Sequence, residues 1–258
     1  MKKYLAMMVI FIKLLVLLTC ETLEIPFYYD KADGHIYIYA EIGNRKGYFA
    51  FDTGSFQTIV LDKKENYKSF KLVSDKGTLI VKNLKISNFI YSSNTLILAG
   101  NKININYEFS VTEDPNLILS SPEIAGIIGT NIFKDKLFEI SMSDSVIRIY
   151  DEKPDSYISS EPVSNEEFKK YHKIFIPIII NDKTYQALID TGAPEAELSP
   201  KLCDGENGEC LTVKVFSKTK HPFEKDYFLV KKNIELMGVK LENKIFKLSD
   251  KGKEYLMI

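Results

Sequence analysis

An apolar run leading into Asp-Thr-Gly occurs twice in this chain. Tyr48-Phe49-Ala50-Phe51 runs into Asp52-Thr53-Gly54-Ser55, and Ala187-Leu188-Ile189 runs into Asp190-Thr191-Gly192-Ala193. Each copy reads as a buried strand ending in a tight turn that carries one carboxylate. Glycine in third place lets the backbone turn sharply and lets another segment approach closely. At residue frequencies of about 5% each, one such tripeptide arises by chance in roughly one position in 10⁴. Two copies, each closing an apolar run, point to a repeat.

The surroundings repeat too. Ile42 lies ten residues before Asp52 and Ile180 ten before Asp190. The segment 133–141 matches 241–249 in its apolar positions, and Ile127-Ile128-Gly129 matches Leu236-Met237-Gly238. The chain is therefore expected to be an internal duplication of two β-rich lobes. Alternating or apolar runs predict strands at 35–42, 48–51, 58–61, 84–91, 95–99, 174–180 and 185–189. Segments 70–73 and 78–81 predict a hairpin around the turn Ser74-Asp75-Lys76-Gly77, and 137–140 with 146–150 a closing hairpin. Residues 130–136 suit one or two helical turns, and 100–117 carry the weakest pattern.

The 258 residues can form one large domain or two small ones. A net charge of −1 without a long basic block gives no reason to expect nucleic acid as a partner. Tryptophan is absent while Tyr and Phe number 15 and 16, a composition that favours strands. Residues 1–20 read as an export signal, with Lys2 and Lys3 ahead of an apolar stretch too short for a membrane span. The stretch ends Leu17-Leu18-Thr19-Cys20, which resembles a bacterial lipoprotein cleavage box. Two readings stay open: lipidation at Cys20, or ordinary cleavage near it. Cys203 and Cys210 flank a polar, Gly-containing loop that an exporting compartment would allow to close as a disulfide; two unpaired thiols are the alternative. Residues 153–171 hold two prolines and four serines and read as a linker between an N-terminal lobe, 21–152, and a C-terminal lobe, 172–258.

Two carboxyls brought together can divide the work of hydrolysis. One, ionised, takes a proton from water; the other, protonated, polarises a carbonyl. Like charges in contact do not readily both ionise, so the pair shares one proton over a wide pH range. A two-fold repeat that supplies one Asp per lobe builds such a pair directly, with no metal and no cofactor.

Asp52-Thr53-Gly54-Ser55, Asp190-Thr191-Gly192-Ala193 and the apolar-apolar-Gly segments at 127–129 and 236–238 resemble the aspartic protease superfamily of pepsins and retroviral-type proteases. Gly129-Thr130-Asn131-Ile132-Phe133 is similar to the retroviral-type segment, and the small lobes place the nearest likeness among bacterial retropepsin-like proteins. The resemblance implies an all-β, bilobal pepsin/retropepsin-like fold of two duplicated β-barrel-like lobes. It implies Asp52 and Asp190 as the catalytic dyad, and Thr53 and Thr191 as hydrogen-bonding across the lobes. Gly54 and Gly192 would keep the approach to the carboxyls clear. Ser55 would hydrogen-bond Asp52 where Ala193 has no hydroxyl for Asp190, which puts the shared proton on Asp190. Asp75, Lys76 and Gly77 would form the tip of a flap; an ordinary surface hairpin is the alternative. Pro194-Glu195-Ala196-Glu197 departs from the apolar run after the first motif and would bring acidic side chains near the dyad.

The implied function is an exported aspartic endopeptidase acting on a peptide or protein substrate. It would be a monomer with an internal pseudo-dimer, periplasmic, at the cell surface, or tethered to the membrane through Cys20. The alternative is a catalytically weak or inactive peptide-binding or structural lipoprotein on the same fold. His35, His172 and His221 have no spacing that suggests a triad or metal site and read as surface or strand residues. Lys214 to Lys225 reads as a solvated hairpin.

Overall fold

The computed structural model describes residues 22–81, 84–114, 124–133, 136–150, 173–180, 182–193, 195–199, 208–217, 220–230, 234–236, 239–241, 244–248 and 256–257. The expected signal segment with Cys20, the 153–171 linker and Cys203 lie outside the described residues. Among those residues the chain is all-β, with no α-helix and two single-turn 3-10 helices at Lys64–Tyr67 and Thr130–Phe133.

The first half contributes β1 (Leu23–Pro26), β2 (Tyr28–Asp30), β3 (His35–Ile42), β4 (Arg45–Phe51), β5 (Thr58–Leu61), β6 (Lys71–Val81), β7 (Leu84–Leu98), β8 (Asn101–Thr112), β9 (Ile124–Ile128), β10 (Leu137–Ser141) and β11 (Val146–Tyr150). After residue 172 come β12 (Phe175–Ile180), β13 (Lys183–Leu188), β14 (Glu197–Leu198), β15 (Gly208–Ser217), β16 (Lys220–Val230), β17 (Ile234–Leu236), β18 (Val239–Leu241), β19 (Lys244–Leu248) and β20 (Leu256–Met257).

One sheet runs β2-β3-β4-β9-β5-β8-β7-β6, and a further β3–β7 pairing closes it on itself. Another runs β15-β16-β19-β14-β20-β13-β12-β17-β18. Read from β6, the first order is 6-7-8-5-9-4-3, and the second is 15-16-19-14-20-13-12, strand for strand the same path. Directions agree as well. β4 pairs parallel with β9 and β13 parallel with β20. β5 pairs parallel with β8 and β14 parallel with β19. A third sheet, β1-β11-β10, is tied across its face by Arg148, which bonds Glu24, Glu139 and Asp144 at 2.8, 2.9 and 2.8 Å.

The two sheets follow matching paths, but the second is registered differently from the sequence match. Leu236 ends β17, and Ile178↔Leu236 is an antiparallel pair. Its counterpart is Ala40↔Leu98, with Ala40 and Ile178 each twelve residues before their Asp. Leu236 thus answers to Leu98. The counterpart of Gly126-Ile127 is Leu256–Met257, since Ala50↔Ile127 and Leu188↔Met257 each sit two residues before an Asp. Likewise 244–248 answers to β8, while 137–141 belongs to the three-stranded sheet. Short apolar-apolar-Gly patterns mark the ends of several strands, and only pairing direction tells one from another.

A second expectation fails at Asp75, Lys76 and Gly77. They form no hairpin tip. β6 continues through them, and the chain reverses between the paired Val81 and Leu84. The register shifts between Leu72 and Ser74 and again between Ser74 and Gly77, one extra residue on β6 each time. The Ser-Asp-Lys-Gly signal therefore marks a bulge, which uses the same residue types as a turn because both leave backbone groups unpaired. Gly77 is needed there: a Cβ would meet Asn88 Oδ1 at 2.5 Å. Segments 84–91 and 95–99 are likewise one strand, β7, with an irregularity between Ser93 and Thr95. Of the Lys-rich 214–225 segment, 214–217 lie in β15 and 220–225 in β16, its antiparallel partner.

The first core holds Phe49, Phe51, Val60, Phe109, Ile128 and Phe133, each 3% exposed or less. Phe51 sits edge-on to Phe133 at 5.5 Å, and Phe133 packs on Phe138 at 4.7 Å. Such pairs contribute roughly 0.5–1.5 kcal/mol each beyond their burial. They anchor the residue next to Asp52. The second core is smaller and rests on Ile176, Ile178, Ile180, Ala187, Leu198, Ile234 and Phe246.

Candidate active site

β4 ends in the buried Phe49-Ala50-Phe51 and β13 in the buried Ala187-Leu188, and both lie inside their sheets, so each delivers its aspartate at a buried strand end. Asp52 N–H donates to Ile128 O at 3.0 Å, which docks the first loop on β9. Gly129 follows at closest approach: a Cβ would lie 2.7 Å from the Gln57 carbonyl carbon and 2.9 Å from Ser55 O. Thr130 N–H donates to Ser55 O at 2.9 Å. Asn131 Oδ1 accepts from Thr58 Oγ1 at 2.8 Å and Thr58 N–H at 3.1 Å, while its Nδ2 donates to Glu108 O at 2.6 Å.

The two Asp loops meet, and they meet symmetrically. Thr53 Oγ1 donates to Ile189 O at 2.7 Å, and Thr191 Oγ1 donates to Phe51 O at 2.7 Å. Each hydroxyl oxygen also accepts the other threonine's N–H, at 3.1 Å and 3.0 Å. A Cβ on Gly54 would overlap the Asp190 carboxyl, and one on Gly192 would overlap the Asp52 carboxyl. Each carboxyl thus rests on the glycine of the opposite loop, a position no larger residue can occupy.

Asp52 and Asp190 are half-buried and interact directly, side chain to side chain. Burial first, then the Asp190 charge and hydrogen bond, raise the Asp52 pKa from 3.8 to about 7. Backbone N–H groups of Ser55 and Gly54 oppose the shift, Ser55 N donating to Asp52 Oδ1 at 2.9 Å. Gly192 N–H donates to Asp190 Oδ1 at 3.0 Å. The pair therefore shares one proton near neutrality. Ser55 offers no side-chain support for placing that proton on Asp190. Its hydroxyl turns away and donates to Gln57 O at 3.0 Å, leaving only its backbone to serve Asp52. Ala193 lacks a hydroxyl but loses nothing by it, because its loop uses backbone donors as well.

The acids after the second motif are also engaged. Tyr227 O–H donates to Glu195 Oε1 at 2.9 Å, and Lys247 Nζ bonds Glu197 Oε1 at 2.6 Å. β14 places Glu197 beside Lys247 by register, which sequence spacing does not reveal. Asp75, Lys76 and Gly77 lie in the β6 bulge. Cys210 lies in β15 opposite Phe228. His35 was read as an ordinary strand residue; it opens β3, and its ring also contacts the second Asp loop, Nε2 lying 3.1 Å from Gly192 O. No spacing rule could have found that cross-half contact. Among the described residues, no group of three or more His, Cys, Asp or Glu side chains is placed to hold a metal. No helix among them is long and apolar enough to cross a membrane.

No family model matches the chain, and no curated protein matches it.

Proposed function

We propose that the chain is an aspartic endopeptidase of the bilobal pepsin/retropepsin-like type. Asp52 and Asp190 are its catalytic dyad. One observation carries this reading: two half-buried carboxyls, each seated on the other loop's glycine and joined by four reciprocal threonine hydrogen bonds. A purely structural contact between two sheets has no use for two facing carboxyls, because like charges in a partly dry site oppose association.

The chemistry follows from where the proton lies. Asp52, protonated up to about pH 7, hydrogen-bonds the oxygen of a scissile peptide carbonyl. Asp190, ionised, takes a proton from a water between the carboxyls. The water oxygen bonds to the carbonyl carbon as Asp52 passes its proton to the carbonyl oxygen, giving a neutral tetrahedral diol. Asp190 then protonates the amide nitrogen, the C–N bond breaks, and Asp52 recovers a proton from a diol hydroxyl. Protons balance, and the dyad returns to its starting state for the next substrate. The fixed threonine framework supplies the precise placement that general acid–base catalysis requires.

The proposed setting is outside the cytoplasm, as an exported or Cys20-lipidated protein. Digestion of a broad peptide library, with and without a pepstatin-type inhibitor, tests the proposal. Inhibitor-sensitive cleavage at internal peptide bonds is expected. A purified, folded protein that cleaves nothing would favour the peptide-binding alternative.

A further inference from the structure

The repeat is broken at one position beside the carboxyls. His35 lies seventeen residues before Asp52, and the position seventeen before Asp190 is Lys173. The His35 side chain is 22% exposed, with Nε2 3.1 Å from Gly192 O in the other half. A carbonyl oxygen only accepts, so Nε2 carries a proton and donates it. Nδ1, closed off from solvent, lies 3.3 Å from Asp33 Oδ1. Asp33 is held in turn: Oδ1 accepts the His35 N–H at 3.0 Å, and Oδ2 accepts the Tyr37 hydroxyl at 2.5 Å. Tyr37 is buried in β3. A continuous set of contacts therefore runs from the first sheet through Asp33 and His35 to Gly192.

Gly192 is the residue in that loop with the most to gain from being held. It has no side chain to limit its backbone rotations. Its N–H fixes Asp190 Oδ1, and its Cα faces the Asp52 carboxyl. With the carbonyl held as well, the orientation of both flanking peptides is set. We propose that His35 is a positioning residue that clamps the Gly192 carbonyl from the opposite half and so sets the seat of Asp190 against Asp52. The clamp is a matter of geometry; its kinetic consequence rests on the proteolytic reading above.

Two variants of matched polarity test it. His35→Gln keeps an N–H donor at about the reach of Nε2, whereas His35→Asn falls one carbon short. Hydrogen exchange of the backbone amides across 187–195 reads the clamp without any activity. Exchange is expected to quicken in His35→Asn and to stay near wild type in His35→Gln. In peptide cleavage, His35→Asn is expected to lower kcat roughly 10- to 100-fold with little change in KM, and His35→Gln to recover most of the loss. Equal behaviour of the two variants in both measurements would overturn the proposal and leave His35 as packing alone. If the wild type cleaves nothing, the proteolytic reading fails while the exchange comparison still decides the clamp.

Discussion

Thr53 and Thr191 exchange hydrogen bonds across the two halves, each hydroxyl oxygen accepting the other's N–H and each hydroxyl donating to a carbonyl beyond it. Thr53 is fully buried, so these bonds compete with no water. Thr53→Val keeps the shape and removes the hydroxyl, leaving Thr191 N–H and Ile189 O without their partner. The cost should be about 1–3 kcal/mol for each group left unpaired. Thr191→Val should behave alike. Chemical denaturation of both single variants and the double will show a double effect smaller than the sum, since one network is lost only once.

Asp52→Asn and Asp190→Asn should each abolish peptide cleavage, because neither remaining carboxyl can be proton donor and acceptor at once. The double variant should be hardly worse than either single one. Thermal melts near pH 8 should show both single variants as stable as wild type or more so, through relief of the like-charge contact. Retention of most of the wild-type rate by either variant would refute the dyad.

The Asp52 shift predicts two pH dependences. Cleavage should decline as pH rises through about 7, where the shared proton leaves Asp52. Stability should follow the same proton. The folded state holds it up to about 7, whereas the unfolded chain releases it near the ordinary value of 3.8. Between those values the folded state binds more protons, so this contribution to stability is complete below the lower value and is lost as pH rises to the higher. Asp52→Asn should flatten that slope in denaturation measured at a series of pH values.

Gly54→Ala and Gly192→Ala should each remove activity by driving a methyl group into the opposite carboxyl. Gly129→Ala strikes backbone instead, at Gln57 and Ser55, and should destabilise the first half as well. Comparing melting temperature with cleavage for the three variants separates the two effects. Gly54→Ala and Gly192→Ala should fold with little cleavage, and Gly129→Ala should melt earlier.

Much of this was legible in the chain. Alternation in 35–42 and the apolar approach to Asp52 and Asp190 report strand and burial directly, because side-chain direction in a strand has a period of two. The Ser74–Gly77 signal misled because a bulge and a turn ask for the same residues. Leu236-Met237-Gly238 misled because an apolar strand end followed by glycine says nothing of which neighbour the strand pairs with. Glu195 and Glu197 read as loose charge until register brought Tyr227 and Lys247 alongside.

The sequence by itself determined that two halves repeat, that both are built of strands, and that each offers one aspartate on a glycine-bearing turn. Those are local properties, written in periodicity and residue type. Tertiary structure alone decided that Thr53 meets Thr191, that His35 reaches Gly192, and that burial against Asp190 raises the Asp52 pKa. The first two bring residues more than 130 positions apart within about 3 Å, and the third depends on the burial that results. Burial and a facing charge set a pKa, and neither exists until the two halves close on one another.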